Sequence, residues 1–369
     1  MDEIDWNHRL IGIKGTRGVG KTTFLLDYLR TNFLGDRSCL YLNLNHFIFT
    51  HRRIVSIADE FYKKGGKLLV LDQVHKCPEW SSELRECYDR FPELKIIFTS
   101  SPVLRIIEGH KELKDIVKLY HLVGLSFREY LNYRTESRFP TFTFEEILKN
   151  HLEISREITE SVRPLAYLAD YLQNGYYPYF RSYSQFYTES LLKNVNLALE
   201  IDVTYLNQIE LKYLPKIRKL LHSIAREVPF SPNVSKLSLE IETSRATVMN
   251  YLRYLKNARL INLLYGEDDK EQLKKPVMVY AQNTNLLYAI APENIENSTL
   301  RKTFFYSQVD YLNNVQASGV GDFKVNGEFD FIVGGKYTSP CNNKVYAAAD
   351  MIEMGEGKVI PLWLFGFLY

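Results

Sequence analysis

Cysteine is scarce: four residues in 369, Cys39, Cys77, Cys87 and Cys341, none at CxxC or metal-ligand spacing. Free thiols in a reducing compartment are therefore expected, and a cysteine metal site is not. Charge of one sign is also lacking. The 46 Lys and Arg against 44 Asp and Glu leave a net charge of +2. That excludes a histone-like polycation but not a basic face on one domain. No long apolar run is present. The longest, VIPLWLFGFLY (359–369), is too short to span a bilayer as a helix, and a buried terminal strand is expected there. The start, MDEIDWNHRL, is acidic and polar, unlike a signal peptide. With no internal repeat or low-complexity segment, the chain reads as cytoplasmic, globular and without a membrane partner. Tyrosine is abundant, at 26 residues, and the sequence alone gives no physical reason for it.

Short apolar runs alternate with amphipathic stretches over the first 130 residues. RLIGIK (9–14), CLYLNL (39–44), KLLVLD (67–72), KIIFTS (95–100) and VKLYHLVGL (117–125) read as strands. Helical spacing marks 22–34, 54–64 and 81–91. This alternation predicts a mostly parallel sheet with helices on both faces. From about 127 to 225 the period is helical. Residues 216–275 read as a helix-turn-helix with a small hairpin, and 276–369 return to short strands. The expected class is multidomain. An α/β P-loop NTPase core of the additional-strand type (1–132) precedes a helical lid segment (133–215), a winged helix (216–275) and a small α+β domain (276–369).

GTRGVGKT, Gly15 to Thr22, matches G-x-x-x-x-G-K-[ST] between an apolar strand and a helix, the context a phosphate loop requires. Its glycines let the backbone wrap a phosphate, and the helix aims its positive end at the same anion. The expected nucleotide ligands are Gly15, Thr16, Arg17, Gly18, Val19, Gly20, Lys21, Thr22 and Thr23. Lys21 would serve the β and γ phosphates, and Thr22 would complete Mg²⁺ coordination. Asp72, ending KLLVL, would hold the metal through water. Ser100 or Ser101, after KIIFT, fits a polar γ-phosphate sensor; the competing reading is a turn with Ser101 as a helix N-cap. No guanine-reading NKxD motif is present, which favours ATP.

The residue after Asp72 is Gln73, where many P-loop ATPases place a water-polarising glutamate. An amide orients water but accepts no proton, and losing a general base costs about 10²–10⁴-fold. Gln73 is then either natural to a slow switch or an engineered replacement. His75 and Glu79 are the next candidates for activating water.

The runs GTRGVGKTT, LVLDQVHKCPEW (69–80), IIFTSSPVL (96–104) and VGLSFREYL (123–131) resemble a group of bacterial and archaeal AAA-type ATPases akin to STAND-like NTPases. NGYYPYF (174–180) resembles that family's Gly-aromatic-Pro turn. NVSKLSLEIETSRATVMNYLRYLKNARLI (233–261) resembles its winged helix, and GEFDFIVGGK with IPLWLFGFLY resembles its C-terminal domain. The resemblance implies a restriction-endonuclease-like C-terminal fold. Three departures stand out: Gln73 for the glutamate, no arginine pair in 111–122 to supply an arginine finger, and a shortened stretch after GEFDF.

In 233–261, Val248, Tyr251, Leu252 and Leu255 lie at core spacing behind a Ser244 N-cap. Arg245, Arg253, Lys256 and Arg259 would form a solvent face able to meet DNA phosphate, with Glu240 and Glu242 nearby; a packing or relay role competes. A C-terminal nuclease would need clustered carboxylates and a lysine. Glu328 and Asp330 would share one strand face, but Lys336 follows Gly-Gly and D…ExK is not met. A degenerate scaffold or a surface for a protein partner is expected instead. The sequence thus points to an ATP- and Mg²⁺-dependent switch ATPase with slow hydrolysis. The alternatives are a DNA-associated ATPase–nuclease and an ATP-binding interaction protein without turnover.

Overall fold

Strand and helix periods resolve in the first part of the chain into β1 (Leu10–Lys14), α1 (Lys21–Phe33), β2 (Cys39–Asn43), α2 (Ile54–Lys63), β3 (Leu68–Asp72), α3 (Trp80–Arg90), β4 (Lys95–Ser100) and β5 (Lys118–His121). The computed structural model describes residues 4–103, 111–181, 184–266, 275–293 and 295–369, in two units, Met1–Val123 and Gly124–Tyr369. Residues 1–3, 104 and 267–274, which end or interrupt stretches quoted above, lie outside the described residues.

All five strands of the first unit are parallel, in the order β2-β3-β4-β1-β5. β4 stands between β1 and β3, the additional strand expected. Alternate strand residues feed two separate cores, as a period of two demands. Leu69, Leu71, Ile96 and Phe98 pack with α2 and α3 residues such as Ala58 and Leu84. Ile11, Ile13, Leu68, Val70 and Ile97 pack with Leu25 and Tyr28 of α1. Burial on both faces explains why β3 is apolar at every position but its last.

The second unit begins with helices: α4 (Phe127–Thr135), α5 (Phe144–Ser161), α6 (Pro164–Asp170), α7 (Tyr187–Leu197), α8 (Leu214–Glu227), α9 (Val234–Glu240) and α10 (Arg245–Asn257). An antiparallel pair follows, β6 (Ile261–Leu264) with β7 (Met278–Ala281). After α11 (Thr284–Ile290) and α12 (Asn297–Val309) comes a five-stranded mixed sheet. It contains β8 (Val315–Ala317), β9 (Phe323–Val325), β10 (Phe329–Gly334), β11 (Val345–Ala349) and β12 (Val359–Pro361), ordered β12-β11-β10-β9-β8. β8, β9 and β10 run antiparallel, whereas β10, β11 and β12 run parallel.

The LSFREYL stretch is a helix start. Ser126 accepts from the Glu129 N–H at 3.2 Å and Glu129 accepts from the Ser126 N–H at 3.0 Å, a capping box, while Phe127, Tyr130 and Leu131 are buried. The terminal apolar run departs from the strand expected of it. Only Val359–Pro361 pairs, and Leu362–Phe367 forms a buried 3₁₀ turn. Pro361 supplies no N–H to extend a ladder.

Some of the tyrosine content is explained here. α6 runs on as a π-turn, Tyr171–Gly175, which frees backbone carbonyls. The buried Asn285 amide donates to the Tyr171 and Leu172 carbonyls at 3.0 and 2.8 Å. Its oxygen accepts from the Tyr176 N–H at 2.8 Å and from the Tyr187 hydroxyl. The Tyr171 hydroxyl in turn donates to the Leu125 carbonyl at 2.7 Å. These tyrosines are core residues whose hydroxyls pair with other buried polar groups. Among the described residues, no helix is long and apolar enough to cross a membrane.

Candidate functional site: the carboxyl ends of β1, β3 and β4

The loop from β1 to α1 is shaped by glycine. Gly18 and Gly20 have φ of 86° and 98°, the left-handed region that a side chain disfavours. A Cβ on Gly15 would sit 2.2 Å from the Leu122 carbonyl oxygen. Gly20 precedes α1 without a side-chain cap, leaving the first N–H groups of the helix for an external acceptor. Lys21 curls over the loop, and its ammonium donates to the Gly15 and Thr16 carbonyls at 2.6 and 2.7 Å. Thr16, Arg17 and Gly18 are half-buried around it, Val19 is buried and Thr23 is exposed.

Asp72, at the end of β3, is buried and accepts from three hydroxyls. Thr22 Oγ1 lies 2.8 Å from Oδ2, Tyr41 Oη lies 3.0 Å from the same oxygen, and Thr99 Oγ1 donates to Oδ1. Two of these partners, Tyr41 and Thr99, escaped the sequence reading. Their signal is topological: β2 and β4 flank β3, so polar residues facing Asp72 from either side can reach it. Thr22 and Asp72, expected together, are together. Thr22 donates its proton to Asp72 and keeps oxygen lone pairs for a metal, so the pair fits Mg²⁺ bound directly by Thr22 and through water by Asp72. The carboxylate also pushes the Tyr41 phenol upward, after burial, which keeps that donor protonated.

Thr99 links the acid to the next residue, because its oxygen also accepts from the Gln73 N–H at 2.8 Å. Gln73 itself has φ 63°, ψ 49°, a left-handed turn unusual outside glycine. The residue is half-buried. Ser100 ends β4 fully buried, and its hydroxyl has no partner among the described residues. Successive strand residues face opposite ways, so with Thr99 turned to Asp72 the Ser100 hydroxyl is turned from it. Ser101 is buried and accepts from the Val103 N–H at 3.4 Å.

His75 lies on the short turn Val74–Lys76, with Nε2 3.5 Å from Arg17 Nη2. Burial pushes its imidazole down to about 3, and the charges of Arg17, Lys76 and Lys21 add to the effect. The ring is therefore neutral and a poor proton acceptor near neutral pH, against its place as a fallback base. Glu79 is exposed ahead of α3.

Elsewhere the residues separate. Val248, Tyr251, Leu252 and Leu255 are buried and Ser244 caps α10 by accepting from the Thr247 N–H at 3.1 Å, as spacing predicts. The four cations of the expected solvent face are not equally free. Arg245 is exposed, but Arg253 donates to Asn250, Lys256 lies 5.1 Å from the Tyr265 ring, and Arg259 reaches Asp310 at 3.9 Å. Arg259 follows the end of α10 at φ 57°, and its side chain stays 40% exposed beside Asp310. Glu240 accepts from Ser223. Glu328 precedes β10 in an exposed turn, so it does not share a strand face with Asp330. Asp330 accepts from Ser318 Oγ at 2.7 Å and Lys336 is exposed in the turn after β10. Among the described residues, no three His, Cys, Asp or Glu side chains form a metal-binding group.

Residues 7–131 match the family model described as AAA domain, and residues 165–297 match one described as Domain of unknown function (DUF8612). No curated protein matches the chain. Solved structures similar to it include AMPPCP-bound DnaA from Aquifex aeolicus, at 16% identity over 69% of this chain and 84% of that one, TM-score 0.27. A RuvB variant from Thermotoga maritima matches at 14% identity over 69% and 82%, TM-score 0.28. The Aeropyrum pernix ORC1 protein in complex with DNA matches at 12% identity over 77% and 86%, TM-score 0.32. TM-scores of this size fix no common overall arrangement. The AAA match, the strand order and the loop after β1 agree on an AAA-type P-loop fold for the first unit.

Proposed function

We propose that the chain is an AAA-type ATPase that binds Mg²⁺-ATP at the loop Gly15–Thr22 and hydrolyses it slowly. The observation carrying this reading is the 2.8 Å bond from Thr22 to the buried Asp72 beside the Lys21-covered loop. A phosphate would take over the Lys21 ammonium from the two loop carbonyls and accept from the N–H groups opening α1. Mg²⁺, when bound, supplies charge neutralisation between the β and γ phosphates. Thr22 and Asp72 would hold that ion, with Thr99 fixing the carboxylate, and the Gln73 amide would orient water without taking its proton. Thr23, exposed beside Thr22, is available for a lesser contact, whereas Ser100 is buried and takes no part in this reading.

The role that suits slow hydrolysis is a switch, in which bound triphosphate biases a conformational equilibrium. DNA contact through α10 is the weaker reading, because Lys256 and Arg259 are engaged inside their own unit. The test is calorimetry of ATP with Mg²⁺ on the wild type and Lys21→Ala. Tight binding that is abolished in the variant is expected; unchanged affinity would remove the assignment.

A further inference from the structure

We propose that the Tyr41 hydroxyl sets the metal preference of the site: it fills an acceptor position on Asp72, keeps the near carboxylate oxygen from ligating a metal directly and so favours Mg²⁺ over Ca²⁺ as the companion of the nucleotide. This rests on the phosphate-loop reading and adds to it a positioning residue that acts through Asp72.

The sheet puts Tyr41 where it can do this. β2 runs parallel to β3, with Asn43 opposite Asp72. Tyr41, two residues before Asn43, shares that face and reaches the carboxylate diagonally. Its Oη lies 3.0 Å from Asp72 Oδ2, the same oxygen that Thr22 Oγ1 meets at 2.8 Å. Thr99 of β4 donates to Oδ1 and is itself tied to the Gln73 N–H at 2.8 Å. An ionised carboxylate has about four acceptor positions, two on each oxygen. Thr22 and Tyr41 take both on Oδ2, and Thr99 takes one on Oδ1. A metal on Thr22 would stand next to Oδ2, which has no position left for it. The free position on Oδ1 can still accept from a metal-bound water. Mg²⁺ keeps several waters when a protein binds it, whereas Ca²⁺ takes more oxygen ligands and accepts carboxylates directly, through one oxygen or both. The arrangement therefore suits the first ion and denies the second a ligand. Burial, and then the Asp72 charge, push the Tyr41 phenol up, so it keeps its proton and the position stays filled.

The experiment titrates a non-hydrolysable ATP analogue into wild type and Tyr41→Phe by calorimetry, with Mg²⁺, with Ca²⁺ and with neither ion. Phenylalanine keeps the ring and removes only the hydroxyl, which reopens Oδ2. The wild type should bind the analogue more tightly with Mg²⁺ than with Ca²⁺. In Tyr41→Phe that preference should shrink roughly tenfold, the lower end for a hydrogen bond to a charged group. Tyr41→Met, also without a hydroxyl, stands in if the phenylalanine variant fails to fold. An unchanged preference, whether affinity falls equally with both ions or not at all, would overturn the proposal, as would a wild type that does not prefer Mg²⁺. A wild type that binds the analogue under none of the three conditions would instead overturn the phosphate-loop reading beneath it.

Discussion

Acids stand at strand ends in both units, but they are held differently. Asp72 meets three hydroxyls and, among the described residues, forms no ion pair. In the second unit, Asp350 after β11 lies 2.8 Å from Arg301 Nε. Asp322 before β9 lies 2.6 Å from Lys302 Nζ and also accepts from the Val333 N–H at 2.8 Å. Arg301 and Lys302 are consecutive on α12. Hydroxyl donors orient a carboxylate while leaving its charge for an incoming metal; a lysine or arginine of the same chain cancels it. The difference teaches that strand-end acids alone do not mark a metal site. What neutralises them decides, and in the second unit the chain has supplied its own cations.

The comparison breaks first at Asp72. Asp72→Asn should abolish the Mg²⁺-dependent part of ATP affinity and leave the Mg²⁺-free part nearly intact, measured by titration with and without the metal. Equal losses in both conditions would show that Asp72 does no more than brace Thr22. At the other pole, Arg301→Ala strands a mostly buried carboxylate, which should cost about 3 kcal/mol of stability. Chemical denaturation would read this, with ATP affinity unchanged. Replacing Asp350 by leucine as well should recover most of the loss if cancelled charge is the whole role of the pair. Restoring the acid beside Asp72 sharpens the comparison further. Gln73→Glu should raise the single-turnover hydrolysis rate by roughly 10²-fold, the lower end for a general base. No gain would place water activation elsewhere.

Much of the first unit was legible in the sequence. Five apolar runs gave five strands; in β1, β3 and β4 burial on both faces leaves few polar positions to confuse the period, while β2 and β5 are only partly buried. The phosphate loop was legible because glycine, lysine and threonine are each needed at fixed offsets. Tyr41 and Thr99 were not, since a strand order must be known before residues 31 and 27 positions from Asp72 become its neighbours. The second unit was less legible for the same reason. Arg259 has the spacing of a solvent-facing cation, yet it follows the helix at φ 57° and stands beside Asp310. The terminal run VIPLWLFGFLY was read correctly as buried and wrongly as strand, because apolar content reports burial and not dihedral angle.

Asp310 supplies the smallest and most specific test, being an acid of a third kind. It caps the end of α12, where helix carbonyls disfavour negative charge, and its nearest cation, Arg259, stays 3.9 Å away. Burial pushes its carboxyl up from 3.8 to about 6, against the opposing pull of Arg259 and Lys256. A carboxyl raised on folding binds its proton more tightly in the native state. Its contribution to stability is therefore complete below the ordinary value of 3.8 and is lost as the pH rises through about 6. Asp310→Asn removes that titration, while every other group titrates in both proteins and cancels. The stability of the variant relative to wild type should then climb between about pH 4 and pH 6 and stay level above that window. Denaturation midpoints of the two proteins across the range give the comparison directly. A difference that does not change with pH would mean that Arg259 and Lys256 neutralise Asp310 as fully as Arg301 and Lys302 neutralise the strand-end acids, leaving Asp72 the one acid of the set whose charge is left uncancelled.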